Sequence, residues 1–205
     1  MTRSSLIYLA SRSPRRRELL RQVGITFEVV LLREALQRSV DVDETPRTGE
    51  SPDEYVLRVT RDKAQAAADS VRRRRLAMRP VLAADTTVVC DDVILGKPAD
   101  AADAARMLSL LAGRSHRVLT AVAIAGGDAV ATRISESQVW FRALDEGEIR
   151  RYVATGEPVD KAGAYAVQGR AAAFITRIEG SYSGIMGLPL AETAELLRSQ
   201  GIIVP

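Results

Sequence analysis

The stretch Val81-Leu82-Ala83-Ala84-Asp85-Thr86-Thr87-Val88-Val89 is apolar except for two threonines and one acid. Pro80 precedes it and the turn-forming pair Asp91-Asp92 follows shortly after it. This length and these borders are typical of a central strand that is covered on both faces. Asp85 is the one residue of the stretch whose charge conflicts with that burial.

A buried, ionised carboxylate without a partner costs several kcal/mol, so Asp85 is expected to face a metal ion, a cation or a wet cleft. The alternative is an aspartate that only ends a strand or caps a turn. The strand-forming residues that continue to Val89 argue against that alternative. We therefore predict that the chain holds Asp85 at the floor of an anion-binding cleft.

The length and the apolar content are those of a globular protein. The chain has 205 residues, 46% of them apolar, which suffices for a single domain over residues 1–205 with a substantial core. No apolar run approaches the roughly 18 residues of a membrane span, and the N-terminus shows no signal-peptide pattern. We therefore expect a cytoplasmic protein with no membrane partner.

The counts of cysteine, histidine and charged residues limit the chemistry further. Cys90 is the only cysteine, so an internal disulfide and a multi-cysteine zinc site are excluded. His116 is the only histidine, and we predict that it faces water at the start of a strand. The net charge of +3 favours anionic ligands but is far below that of a dedicated DNA-binding domain. No stable nucleic-acid partner is expected.

A helix with an unusual first turn follows the first predicted strand, Ser5 to Ala10. Ser13 is suited to cap this helix and Pro14 to open it. Three arginines come next, although each cation there opposes the helix dipole by about 0.3–1 kcal/mol. A bound phosphate reverses that sign, because N–H groups, serine hydroxyls and arginines would all point at it. Helical spacing assigns Arg15 and Arg16 to such a ligand; an ordinary capped helix with a basic surface is the alternative.

Three further segments offer charged groups to a ligand. The acidic cluster Asp41-Val42-Asp43-Glu44 is able to hold Mg²⁺ together with phosphate oxygens, although a solvated loop is the commoner role. Lys63 lies on the apolar stripe of the helix opened by the capping box Ser51-Pro52-Asp53-Glu54. Snorkelling to solvent is its favoured interpretation, and contact with a buried anion is the alternative. Lys97 follows a tight hairpin that brings it near the level of Asp85 and within reach of the same ligand; a surface loop residue is the alternative.

The segment from Glu157 to Arg170 has no clear periodicity. It contains Pro158, Gly163 and Gly169, and the small residues allow its backbone to approach a ligand closely. Gln168 offers an amide that both donates and accepts hydrogen bonds. The segment is therefore suited to recognise a polar ligand.

Seven segments match, in order, the motifs of one protein family and cover nearly the whole chain. They are Leu9-Ala10-Ser11-Arg12-Ser13-Pro14-Arg15-Arg16, Asp43-Glu44, Arg61-Asp62-Lys63-Ala64, Ala84-Asp85-Thr86, Gly96-Lys97-Pro98, Asp160-Lys161-Ala162-Gly163-Ala164-Tyr165-Ala166-Val167-Gln168-Gly169 and Gly187-Leu188-Pro189-Leu190. On these residues the chain resembles the Maf-like nucleoside triphosphate pyrophosphatases. The stretch Leu31 to Val40 departs from the family pattern as an insertion before the acidic pair.

The resemblance implies an α/β fold in which a mixed, twisted sheet flanked by helices forms two lobes around a central cleft, as in Maf and ITPase proteins. It implies a homodimer that cuts nucleoside triphosphates between the α and β phosphates with a divalent metal, Mg²⁺ or Mn²⁺. Asp85 matches the catalytic acid or base of the family. Arg15, Thr86 and Gln168 match positions linked to base choice, and their identities resemble the dTTP/UTP branch more than the 7-methyl-GTP branch.

Residues and resemblance together predict one mechanism. The metal lies near Asp85 and Glu44 and offsets charge on the transferring phosphoryl group, while Asp85 orients or deprotonates the attacking water. Gln168 pairs with the edge of a pyrimidine, a contact that discriminates strongly between bases. The substrate is bound by hydroxyls, cations and this amide: Ser11, Ser13, Arg15, Arg16, Lys63, Thr86, Lys97 and Gln168.

Two rival functions stay open on the sequence. One is a pyrophosphatase for 7-methyl-GTP or a purine triphosphate, which a substrate panel separates from the dTTP/UTP enzyme. The other is a non-enzymatic protein that regulates division or binds nucleic acid through its arginine runs. Binding of the second kind would weaken steeply with salt.

Overall fold

The computed structural model describes residues 6–32, 41–127 and 129–204. The strands in these ranges are β1 (Leu6–Leu9), β2 (Thr26–Val29), β3 (Val81–Cys90), β4 (Val93–Leu95), β5 (Ser115–Gly126), β6 (Ala129–Phe141) and β7 (Ile175–Glu179). The helices are α1 (Pro14–Gln22), α2 (Pro52–Arg73), α3 (Ala101–Leu111), α4 (Glu146–Val153), α5 (Tyr182–Met186) and α6 (Leu190–Ser199). Two 3₁₀ turns, Ala162–Ala164 and Arg170–Phe174, precede β7.

The strands form one mixed sheet in the order β2-β1-β3-β5-β6-β7, and β4 pairs with the end of β3. Strand β1 runs parallel to both β2 and β3, whereas the pairs β3–β5, β5–β6 and β6–β7 are antiparallel. The predicted α/β class, a mixed sheet flanked by helices, is confirmed.

Strand β3 lies in the interior of the sheet, as its apolar sequence predicts. Eight of its ten residues are buried, and the two partly exposed ones are Asp85 and Thr86. Leu82 and Ala84 pack in a core cluster with β1 and α6, whereas Val88 packs in a second cluster with α3 and α4. The apolar core is thus divided at Asp85, which agrees with two lobes that meet at a cleft.

Side-chain caps fix the starts of the two helices that approach Asp85. Ser13 accepts a hydrogen bond from the backbone N–H of Arg16 and caps α1, with Pro14 at its first position. Ser51 and Glu54 form the predicted capping box of α2. These local signals specify where each helix begins, and therefore which of its residues face β3.

Some sequence features lie at the edges of the described ranges. From position 33 onward, the insertion predicted at Leu31 to Val40 is outside the described residues. A tight turn joins β5 to β6, with Gly126 opposite Ala129, and Asp128 of that turn is outside the described residues. None of the helices described in the structure is long and apolar enough to cross a membrane.

Candidate active site

The parallel pairing of β1 with β3 brings the serine–arginine turn beside Asp85. Leu9 is the register partner of Leu82, and the N–H of Ala10 donates to the carbonyl of Leu82. The chain after Ala10 therefore continues alongside the residues that follow Leu82 on β3. This places Ser11 and the N-terminus of α1 next to Asp85, at the carboxyl end of β1, where α/β sheets commonly bind ligands.

Arg16 joins three elements in this cleft. Its Nε donates to the carbonyl oxygen of Gly187 at 2.7 Å, and its two Nη atoms donate to the hydroxyls of Ser11 and Thr86, each at 3.3 Å. Burial lowers the pKa of Arg16, and the nearby Asp85 partly opposes that shift. The guanidinium is therefore a fixed cation held beside Asp85 rather than a mobile surface charge.

A chain of hydrogen bonds anchors Arg16 further. Thr120 Oγ lies 3.0 Å from Thr86 Oγ and 2.8 Å from the carbonyl oxygen of Gly184. Arg16 can only donate and the Gly184 carbonyl can only accept, so the hydroxyl protons must run from Arg16 through Thr86 and Thr120 to Gly184. Thr120 is fully buried. The Thr86 hydroxyl thus already takes part in this series of hydrogen bonds, which orients Arg16.

Lys63 reaches from α2 to the carboxylate of Asp85. Its Nζ lies 2.7 Å from Asp85 Oδ1 and 3.0 Å from Glu44 Oε2, so one ammonium bridges both carboxylates. The side chains of Lys63 and Asp85 are only 15% and 14% exposed. The favoured interpretation of Lys63 as a snorkelling residue is therefore wrong. Sequence spacing placed it on the apolar stripe but did not reveal the acid opposite.

Three other predicted residues make no direct contact with Asp85 within the described parts of the chain. Arg15 is partly buried, and burial lowers its pKa against the attraction of Glu157. Lys97 is exposed and follows β4, whose last residue, Leu95, lies opposite Val88. Gln168 is exposed between the two 3₁₀ turns. All three side chains remain available to a ligand.

Two groups beside Arg15, Glu157 and Lys161, were not predicted from the sequence. The Glu157 carboxylate accepts hydrogen bonds from Tyr152 and from the N–H of Arg170, so it ties together the two ends of the segment that carries Gln168. Burial and the neighbouring Arg15 lower the pKa of Lys161. The rarity of lysine could have drawn attention to Lys161, because only three of the 29 basic residues in the chain are lysines.

The prediction that His116 faces water is wrong. Its side chain is buried rather than water-facing, and its Nε2 lies 2.8 Å from the hydroxyl of Tyr165. The rings of Phe141 and Tyr165 pack edge-on against it. Tyr165 is far away along the chain, so nothing in the local alternation could indicate this partner. His116 therefore lies in the core, where it contacts Tyr165 of the Gln168 segment, and not at Asp85.

Burial of His116 gives a testable pH dependence. Burial lowers its pKa from 6.5 to about 4, so the unfolded chain binds the proton more tightly. Above pH 6.5 this group therefore does not lower the free energy of unfolding. As the pH falls towards 4 the free energy of unfolding decreases, by roughly 2–3 kcal/mol at pH 4.5. Urea unfolding at pH 7.5 and 4.5 should show a larger acid-induced loss in wild type than in His116→Asn. Equal losses in the two proteins would contradict the assignment.

Comparison with known proteins agrees with this geometry. The family model described as "Maf-like protein" matches residues 6–200. The chain belongs to the Maf-like family. The match spans the serine–arginine turn, the Asp85 strand and the Gln168 segment. In the structure the turn lies beside Asp85, and Gly163 of the Gln168 segment lies against Val88 of the same strand.

Curated relatives within the Maf-like family match over nearly their full length. A protein named dTTP/UTP pyrophosphatase from Aromatoleum aromaticum is 58% identical over 95% of this chain and 95% of its own. One of the same name from Nitrosomonas europaea is 54% identical over 97% and 96%. Among solved structures, the match to the Staphylococcus aureus Ham1 protein covers 95% of this chain and 97% of that chain, with 16% identity and a TM-score of 0.47.

The donor set of this Maf-like site suits a hard divalent cation. The described residues contain no cluster of three or more His, Cys, Asp or Glu side chains, but Mg²⁺ commonly uses one or two carboxylates together with substrate phosphates and water. Asp85 and Glu44 supply two such carboxylates, and both already converge on one cation, the Lys63 ammonium. These residues therefore fit Mg²⁺ or Mn²⁺.

Proposed function

We propose that this protein hydrolyses dTTP and UTP to the nucleoside monophosphate and pyrophosphate. One observation carries the proposal: a carboxylate in the middle of a buried strand is paired with Lys63 and lies beside Arg16 and the capped start of α1. The names of the Maf-like relatives support this choice of substrate. Fixed cations together with one available carboxylate suit the hydrolysis of an acid anhydride.

The triphosphate would lie between the start of α1 and the lysines. The N-terminus of α1 offers the hydroxyls of Ser11 and Ser13 together with the N–H of Arg15, and such a terminus favours anions. The N–H groups of Ser13 and Arg16 are already bonded to serine hydroxyls. Arg16 would contact a phosphate through the part of its fork that faces the cleft, while Arg15, Lys63 and Lys97 neutralise the remaining charge. This role explains why cations occupy the first turn of α1, where they are unfavourable without an anion.

Asp85 would act on the attacking water as a general base. Its Oδ1 accepts from Lys63, whereas Oδ2 has no hydrogen-bond partner among the described residues and is not sealed from solvent. Oδ2 would accept a proton from water as the water oxygen bonds to the α-phosphorus. The bond from that phosphorus to the bridging oxygen of the β-phosphate then breaks, and pyrophosphate leaves.

Asp85 and Glu44 would hold a divalent cation, Mg²⁺ or Mn²⁺, in this reaction. When bound, such an ion supplies positive charge to the transferring phosphoryl group and its neighbours. Lys63 would then move from the carboxylates towards the triphosphate, because two cations cannot share the same pair of oxygens closely. The flexible four-carbon stem of lysine permits that movement.

The base would be read by the segment between Glu157 and Arg170. Gln168 is exposed there and its amide can pair with the carbonyl and N–H edge of thymine or uracil. Thr86 would act indirectly, since its hydroxyl is bound to Arg16 and Thr120. The homodimer and the cytoplasmic location stay predictions.

A substrate panel tests the proposed function. Purified protein is assayed with dTTP, UTP, dCTP, CTP, ATP, GTP and 7-methyl-GTP, with and without Mg²⁺, and pyrophosphate and orthophosphate are measured separately. We expect kcat/KM to be at least tenfold higher for dTTP and UTP than for the others, because an unpaired amide edge at Gln168 disfavours a mismatched base. Preference for 7-methyl-GTP or a purine, or release of orthophosphate instead of pyrophosphate, would refute the proposal.

A further inference from the structure

The acidic loop that carries Glu44 has no regular secondary structure, yet Glu44 reaches Lys63. Residues 41–50 contain neither helix nor strand. The Glu44 side chain is 51% exposed, and Lys63 is the partner of its carboxylate. An ion pair this exposed is worth little by itself. Some other contact must therefore hold the loop in register with the cleft.

Arg58 supplies that contact from α2. Its Nε and Nη2 donate to the two carboxylate oxygens of Glu50, at 2.5 and 2.8 Å. Its Nη1 donates to the carbonyl of Asp43 and its Nη2 to the carbonyl of Thr45, each at 3.0 Å. These two carbonyls belong to the residues on either side of Glu44. One guanidinium thus fixes the backbone on both flanks of Glu44.

Tyr55 completes the attachment. Its hydroxyl donates to the carbonyl of Glu44 itself at 3.1 Å, and the guanidinium of Arg58 lies over its ring, 5.7 Å from the centroid. The carbonyls of three successive residues, 43 to 45, are thus all held from α2.

We propose that Arg58 is a positioning residue that holds Glu44 opposite Asp85, so that both carboxylates reach the same cation. This inference rests on the proposed function, in which Glu44 helps to bind a divalent ion. Arg58 is suited to the task because it is largely buried and its planar fork serves Glu50 and two carbonyls at once. A lysine ammonium has three donors and no fork, so it cannot reproduce this set.

The test is a mutant cycle between Arg58→Met and Glu44→Gln, with Arg73→Met as the control. Arg73 is an exposed arginine in the last turn of the same helix. We expect Arg58→Met and Glu44→Gln each to lower kcat/KM for dTTP by about 10- to 100-fold, the loss typical when a group that orients a metal ligand is removed. The double mutant should be within threefold of either single mutant, and Arg73→Met should match wild type.

Two measurements do not depend on turnover. Mn²⁺ titration followed by electron paramagnetic resonance, with a non-hydrolysable dTTP analogue present, should show weaker binding in Arg58→Met and in Glu44→Gln. Hydrogen exchange of the amides of residues 43–50 should accelerate in Arg58→Met only. If Arg58→Met does not fold, Arg58→Lys replaces it and should show intermediate losses, because it can retain an ion pair with Glu50.

The possible failures are distinguishable. Wild-type turnover of dTTP with wild-type Mn²⁺ affinity in a folded Arg58 variant would overturn the inference and leave the proposed function intact. Additive losses in the double mutant, or a Glu44→Gln enzyme equal to wild type, would overturn it as well. Absence of dTTP hydrolysis by the wild-type protein would instead refute the proposed function, and the exchange and Mn²⁺ measurements would still decide the role of Arg58.

Discussion

Asp85→Asn is expected to lower kcat for dTTP by at least about 10³-fold while the protein remains folded. Asparagine keeps the shape of the side chain and can still accept a hydrogen bond from Lys63, but it cannot take a proton from water. It also removes one of the two charges that converge on Lys63. Loss of a general base costs typically 10²–10⁴-fold, and a weakened cation site adds to that. Single-turnover assays of pyrophosphate release measure the effect.

Asp91→Asn is the matched control for this prediction. Asp91 directly follows β3, is exposed, and pairs with Arg114 on the surface. Its backbone has a φ of 49°, and asparagine tolerates that left-handed region as well as aspartate does. Its turnover should equal that of wild type. Circular dichroism and thermal melting of both variants establish that each is folded. Turnover of Asp85→Asn within tenfold of wild type would remove the catalytic role of Asp85.

The centre of the fold could be predicted from sequence because its signals are local. An apolar stretch with strand-forming residues on both sides of Asp85 indicates an interior strand, and a Ser-Pro start followed by helical spacing indicates α1. Both need only neighbours along the chain. The same is true of the capping box at Ser51, which sets the start of α2 and hence the directions in which Lys63 and Arg58 project.

The pairings across the cleft could not be predicted in the same way. Whether Lys63 turns to solvent or to Asp85 depends on the register between α2 and β3, and no local pattern encodes that register. His116 was placed in water because its partner, Tyr165, comes from a distant segment. Arg58 shows the same limitation: in the sequence it is an ordinary arginine of an amphipathic helix, and only the structure shows that the acidic loop binds it.

The fixed cations and the acid of this site depend on one another physically. Arg16 is partly buried beside Asp85, and burial alone would disfavour its charge. Asp85 offsets that cost, as Lys63 offsets the cost of burying Asp85. A phosphate ligand would compensate the positive charge that remains from Arg15, Arg16 and the start of α1. The site is therefore poised for an anion that arrives with its own cation, as a metal-bound triphosphate does.

Arg16→Lys should reduce kcat/KM for dTTP by about 10²–10³-fold, the range found when one fixed donor to a developing charge is removed. Lysine keeps the positive charge but cannot bind Gly187, Ser11 and Thr86 at the same time, so the cation would no longer be held in place. If the charge of Arg16 only attracted the substrate, the activity would survive this change. If the charge must be held in one position, the activity would fall.

Arg21→Lys tests this distinction on the same helix. Arg21 lies in the last turn of α1, where it is exposed and its guanidinium stacks over the ring of Phe27. Lysine can retain that contact, so its kinetics should match those of wild type. In Arg16→Ala, added methylguanidine should restore part of the lost kcat, because the pocket formed by Gly187, Ser11 and Thr86 would still accept a planar cation. Full activity of Arg16→Lys, or losses of equal size in Arg21→Lys, would show that Arg16 contributes only net charge.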